Sequence, residues 1–132
     1  MNKFAIIGLG AFGVRMLEEL LHFTDEVIII DKDPNLIKKY EGKAVKGHTV
    51  NITDEESLRK SIPQGIGTAI VDLGGRIELS LMVTKYLKLL GIKEIVVKAE
   101  TDQHEHLLSM VGATKVIGIS SSTISKYRDS TP

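Results

Sequence analysis

The chain has 132 residues, 42% of them hydrophobic and 26% charged, with 17 basic and 17 acidic side chains and no cysteine. This length suits one domain around a single core, and the missing cysteine excludes disulfides, thiolate nucleophiles and cysteine-held metals. A formal net charge of zero offers no basic excess for nucleic acid or an anionic membrane surface, and the apolar runs are strand-length, far short of the roughly 20 residues that span a bilayer.

Strand-like runs alternate with helix-like stretches from one end to the other. Lys3 to Gly8 reads as a first strand, and Ala11 to His22 has helical spacing with Val14, Leu17, Leu20 and Leu21 on one face. Glu26 to Asp31 is a second strand, apolar enough to be buried on both faces. Pro34 opens a short helix to Tyr40, followed by a weaker strand over Lys43 to Gly47. Thr53 with Glu56 resembles a capping box and starts a helix to about Ser61. After a turn at Pro63 to Gly67, Thr68 to Leu73 is a fourth strand, ended by Gly74 and Gly75. A long helix over Glu78 to Leu90 stops at Gly91. Glu94 to Lys98 is a fifth strand, Asp102 to Val111 a helix stopped by Gly112, and Lys115 to Ile119 a sixth strand. Such βαβ units feed right-handed crossovers into a parallel sheet, so the expectation is an α/β, doubly wound, six-stranded Rossmann-type domain in the order 3-2-1-4-5-6 over residues 1–119. Residues 120–132 are polar and rich in serine and threonine, either a disordered tail or the start of an amphipathic crossover helix.

The stretch GLGAFG, formed by Gly8, Leu9, Gly10, Ala11, Phe12 and Gly13, fits G-x-G-x-x-G. The pattern alone is weak. Here it follows a strand, opens a helix, and has Asp31 18 residues after Gly13 at the tip of the second strand. Gly8 suits the tight turn, Gly10 lets a phosphate approach the backbone, and Gly13 lets the helix pack near the sheet. The free N–H groups at the helix start favour an anion, while Asp31 suits the hydroxyls of an adenosine ribose and repels a 2′-phosphate, which argues against NADP.

Several further candidates have two readings. Lys32 either covers the adenine or a phosphate, or stands solvated in a loop. Val50 and Asn51, with Thr49, either line an adenine pocket, where an amide bonds the base edge, or form the loop before a capped helix. Leu73 and Gly74 lie across the switch point, where the rest of a dinucleotide would run. Glu78 is either near a second ribose or ion, or a solvated first-turn acid. Catalytic machinery is harder to find. Of His22, His48, His104 and His106, the last two lie two apart on a helix and so face different ways. H-E-x-x-H and G-x-S-x-G patterns are missing, and GLGAFG lacks the G-K-[ST] ending of a P-loop. Little sequence is left for the substrate domain of a dehydrogenase, so binding without catalysis is the simpler expectation, with a small NAD-dependent oxidoreductase or its cofactor domain as the alternative. No secretory pattern opens the chain, and the expected setting is the cytoplasm.

IIGLGAFG, EVIIIDKDP, VNITDEESL, TAIVDLGGRIELSL, IKEIVVKAE and HEHLLSMVGATKVI occur in this order. The span to Ile119 thereby resembles the N-terminal lobe of the RCK/KTN family, regulators of potassium conductance, and is similar to the cytosolic regulatory subunits of Trk/Ktr potassium uptake systems. The resemblance implies a non-catalytic sensor that binds NAD(H), ATP, ADP or AMP. It also implies dimers that build an octameric ring on the inner face of a membrane potassium channel or transporter. By motif position it carries nucleotide contacts onto Gly8, Gly10, Gly13, Asp31, Lys32, Asn51, Gly74 and Lys98. This sequence departs from the Ktr pattern at Ala11, where those subunits often place an arginine, and at Gly118-Ile119-Ser120, where they have His-Pro-Glu. Both departures tilt the expectation from ATP and a bound ion towards NAD(H), ADP or AMP. The helix over Glu78 to Leu90 is apolar around much of its circumference, which suits a dimer face.

Overall fold

A computed structural model describes residues 3–24, 26–42 and 45–118. Six strands, β1 (Lys3–Ile7), β2 (Val27–Asp31), β3 (Val45–Thr49), β4 (Ile66–Val71), β5 (Glu94–Lys98) and β6 (Lys115–Ile117), form one sheet in the order β3-β2-β1-β4-β5-β6. Every pairing is parallel, with Ala5 between Ile28 and Ala69 at the centre. Five helices connect them: α1 (Ala11–Leu20), α2 (Pro34–Tyr40), α3 (Glu55–Ser61), α4 (Ile77–Leu89) and α5 (Asp102–Val111). This is the doubly wound Rossmann-type architecture expected from the alternation of elements.

The central strands are apolar on both faces because helices cover both. Ile28 and Ile30 of β2 belong to the core layer under α3, α4 and α5, with Ala5, Ile7, Leu58, Val83, Leu87 and Leu108. Val27 and Ile29 point the other way and pack with Ile6, Leu17, Leu20 and Ile37 beneath α1 and α2. A run without alternation is thus read correctly as a strand buried twice.

Several boundaries differ from the sequence reading, each for a local reason. β3 runs to Thr49, so His48 lies within the strand, paired with Ile30, rather than after it. β4 begins at Ile66, just after Gly65 at φ +93°, so part of the supposed turn is strand. The cap of α3 is Asp54, whose carboxylate accepts from Glu56 N and Ser57 N; Thr53 instead donates its hydroxyl to Asn51 Oδ1 at 2.6 Å. An Asp beside a Thr competes for the same capping role, and the carboxylate is the stronger acceptor. α1 ends at Leu20, which leaves Leu21 40% exposed instead of on the buried face. The tail proposed for 120–132 and the end of the sixth strand at Ile119 lie outside the described residues.

Candidate functional site

The chain reverses its direction of sheet growth between β1 and β4, and the carboxyl ends of β1, β2, β4 and β5 open into one cleft there. The cleft holds about 380 Å³ and is lined by Gly8, Leu9, Gly10, Ala11, Asp31, Lys32, Leu73, Gly74 and Lys98 among the expected residues. Leu36, Ile52, Asp72 and Arg76 line it as well. Phe12, Gly13, Val50 and Asn51 do not.

The glycine loop is shaped by its own neighbours. Gly8 turns out of β1 at φ +96°, and its N–H donates to Ile30 O on β2 at 2.8 Å. A Cβ on Gly10 would collide with the Asp72 carboxylate, and one on Gly13 with the Gly8 carbonyl. Gly13 is therefore required where helix meets strand, as expected. Gly10 is required for a different reason from the one read in the sequence: the space beside its Cα is filled by a carboxylate of this chain.

Asp31 ends β2 and is half-buried. Its Oδ2 accepts from Leu9 N at 2.8 Å and its Oδ1 from Asp33 N at 2.9 Å. Each oxygen keeps a further lone pair for a ribose hydroxyl. The carboxylate is thus held by the loop before any ligand arrives. Lys32 is exposed beside it. Asn51 is exposed, with its Oδ1 taken up by Thr53, and Val50 is buried in the core with its N–H donating to Asp31 O at 2.9 Å. Phe12 packs against the α1-side core. Glu78 is exposed in the first turn of α4.

Asp72 follows β4 directly. Its N–H donates to Ile7 O at 2.9 Å and its Oδ2 accepts from Gly13 N at 2.9 Å. Only 5% of the residue is exposed. The sequence carried one clue to it, an acid at the end of a mostly apolar, largely buried strand. Arg76 stands at the N-cap position of α4 without a side-chain capping bond, is exposed, and makes no ion pair among the described residues. Its signal was a lone guanidinium between the Gly74-Gly75 turn and a helix.

Beyond Lys98 a chain of bonds leads into the core. Lys98 Nζ pairs with Glu100 Oε2 at 3.2 Å. Glu100 N donates to His104 Nδ1 at 3.0 Å, and His104 Nε2 lies 2.6 Å from Ser80 Oγ, which donates to Ile77 O at 2.8 Å. With Nδ1 accepting, the proton of the neutral ring sits on Nε2 and is given to Ser80. Burial pushes the His104 pKa below its ordinary value, against a smaller opposing pull from the Glu100 carboxylate. Sequence reasoning placed His104 on a helix but gave no sign of this burial.

The TrkA-N domain family model matches residues 4–119, the span that holds the glycine loop, Asp31 and, apart from Lys3, the six strands. The chain belongs to the TrkA-N domain family. It is 35% identical over 116 residues to the Ktr system potassium uptake protein C of Bacillus subtilis (strain 168), an alignment covering 88% of this chain and 52% of that protein. The chain therefore spans about half the length of this relative. Among solved structures, the TrkA-N domain of the inner membrane protein ybaL from Escherichia coli superposes with a TM-score of 0.79 at 17% identity, covering 99% of this chain and 97% of that one. The GsuK channel bound to NAD aligns with a TM-score of 0.74 at 15% identity, covering 88% of this chain and 21% of that one. GsuK bound to ADP aligns at 0.75 and 19%, covering 89% and 30%. These structures share the TrkA-N fold. Among the described residues no helix is long and apolar enough to cross a membrane.

Proposed function

We propose that this TrkA-N domain is the nucleotide-sensing lobe of a potassium uptake system. It binds NAD(H) or an adenine mononucleotide (ADP, AMP or ATP) without chemical change and passes the binding state to a membrane pore. The observation that carries the reading is the pairing of Asp31 with the glycine loop in one cleft. The N–H of Ala11, which lines the cleft at the head of α1, and that of Phe12 next to it in the chain have no acceptor among the described residues, so an anion is the ligand they suit. The likeness to a potassium uptake protein supports the pore as partner, and the NAD and ADP held by GsuK support the ligand class.

Binding without catalysis fits the side chains at hand. The buried histidine is neutral and engaged at both ring nitrogens, so it is not free to act as acid or base. Regulation then needs two arrangements of the assembled protein with different affinity for the ligand. We assign that assembly to self-association through the exposed side of α4, as a dimer and then a ring of eight on the cytoplasmic face of the pore. The nucleotide contacts in this reading are Gly8, Gly10, Asp31, Lys32, Gly74, Lys98 and, added from the cleft, Arg76.

Calorimetric titration of NAD, NADH, ATP, ADP and AMP tests it. Saturable binding of at least one, lost in Asp31→Ala, is expected. Heat-silent mixing with all five, or hydride transfer from bound NADH to a small carbonyl compound, would overturn the sensor reading.

A further inference from the structure

We propose that Asp72 is a built-in anion at the head of α1 that sets how much phosphate charge the cleft accepts. The inference rests on the nucleotide reading above and names the ligand class within it: adenine ligands of low phosphate charge.

The start of α1 is short of anionic partners from its own segment. Gly10 supplies no side-chain cap, and the first turn contains no acid. The acceptor comes instead from a residue 59 positions away, Asp72, which takes the Gly13 N–H. Of the first three donors of the helix, one is thus already satisfied by a carboxylate, and those of Ala11 and Phe12 stay open.

That carboxylate is fixed. Its backbone is tied to Ile7 and its side chain rests on the Cα of Gly10. It is buried, and no lysine or arginine pairs with it among the described residues. A phosphate drawn to the Ala11 and Phe12 N–H groups would stand within one helical turn of it. Two like charges that close repel, and the repulsion grows with each charge the ligand adds. The cations lining the cleft, Lys32, Arg76 and Lys98, come from other loops and strand ends, and Lys98 is already paired with Glu100. Adenosine, held through its ribose by Asp31, carries no phosphate and is insensitive to this balance.

The test is a calorimetric series of adenosine, AMP, ADP and ATP against the wild-type chain and Asp72→Asn, which keeps an acceptor for Gly13 while removing the charge. Affinity for ADP and ATP is expected to rise about tenfold or more in the variant, AMP less, and adenosine by less than about twofold. Asp72→Ala serves as the second variant should the amide disturb folding, as judged by circular dichroism, and is expected to give the same gradient. An equal change across the series, or weaker ADP binding in both variants, would overturn the role of Asp72 and leave the nucleotide reading standing. Failure of every ligand with wild type and variants alike would overturn both.

Discussion

Asp31 Oδ2 lies 2.8 Å from Leu9 N, so the acid at the tip of β2 holds the glycine loop of the neighbouring strand before any ligand is present. Leu9 is itself buried, and its N–H would otherwise go unpaired. Asp31→Ala is expected to lower unfolding stability by about 1–3 kcal/mol as well as to abolish nucleotide binding. Asp31→Asn keeps one acceptor and is expected to recover part of the stability but little of the binding. Urea denaturation beside calorimetry separates the two effects; an Ala variant as stable as wild type would show that the loop is not held this way.

His104 gives the fold a pH dependence of known sign. Its pKa is lowered in the folded state, so the unfolded chain binds the proton more readily. The stability it contributes is fully present above the ordinary histidine value of about 6.5 and is lost as pH falls below it towards the lowered folded value. Protonation would also set an Nδ1–H against the Glu100 N–H. Urea midpoints measured from pH 8 down to pH 5 should fall more steeply for wild type than for His104→Gln. The variant should be less stable at pH 8 by about 1–3 kcal/mol, because it leaves buried groups without their partners. Equal slopes for the two proteins would remove His104 as the cause.

Much of this architecture is legible in the sequence because its signals are local. The unbroken apolar run of β2, the proline at the start of α2 and the glycines after α4 and α5 each act on their own neighbours. Boundaries shifted where two adjacent residues compete, as Thr53 and Asp54 do for the α3 cap. Asp72 stayed hidden because its partner, Gly13, is 59 residues away, and no periodicity reports a contact made only when β1 and β4 meet. His104 stayed hidden for a similar reason: one ring partner, Glu100, is local, but the other, Ser80, is 24 residues away on α4. Arg76 was visible as a residue, but only the sheet order brings it to the mouth of the cleft.

The packing of Asp72 on Gly10 makes a second, ligand-free prediction. Gly10→Ala places a methyl group against the Asp72 carboxylate, with the loop closed on both sides by Asp31 and by the Gly13 bond. The substitution is expected to cost about 1–3 kcal/mol by overpacking. In an Asp72→Ala background the same methyl group has room, and most of the cost should disappear, giving a coupling energy in a double-mutant cycle. Additive losses would mean that the two side chains do not meet.

The exposed side of α4 carries the last prediction. Leu79, Val83 and Leu87 commit one side of this helix to the core. Met82 and Leu89, at 62% and 73% exposure, stand on another side with Tyr86, along an apolar groove of about 200 Å³ completed by Ile52 and Leu58. Side chains this exposed do little for the monomer, so Met82→Lys or Leu89→Lys should change its stability by no more than about 0.5 kcal/mol. If this surface joins two copies, however, a buried lysine on each side of the contact is a heavy penalty, and the variants should be monomeric at concentrations where wild type is dimeric. Light scattering over a concentration series reads this directly. A monomeric wild type at high concentration would assign the groove to another partner, and a dimer untouched by both lysines would move the contact to a different face.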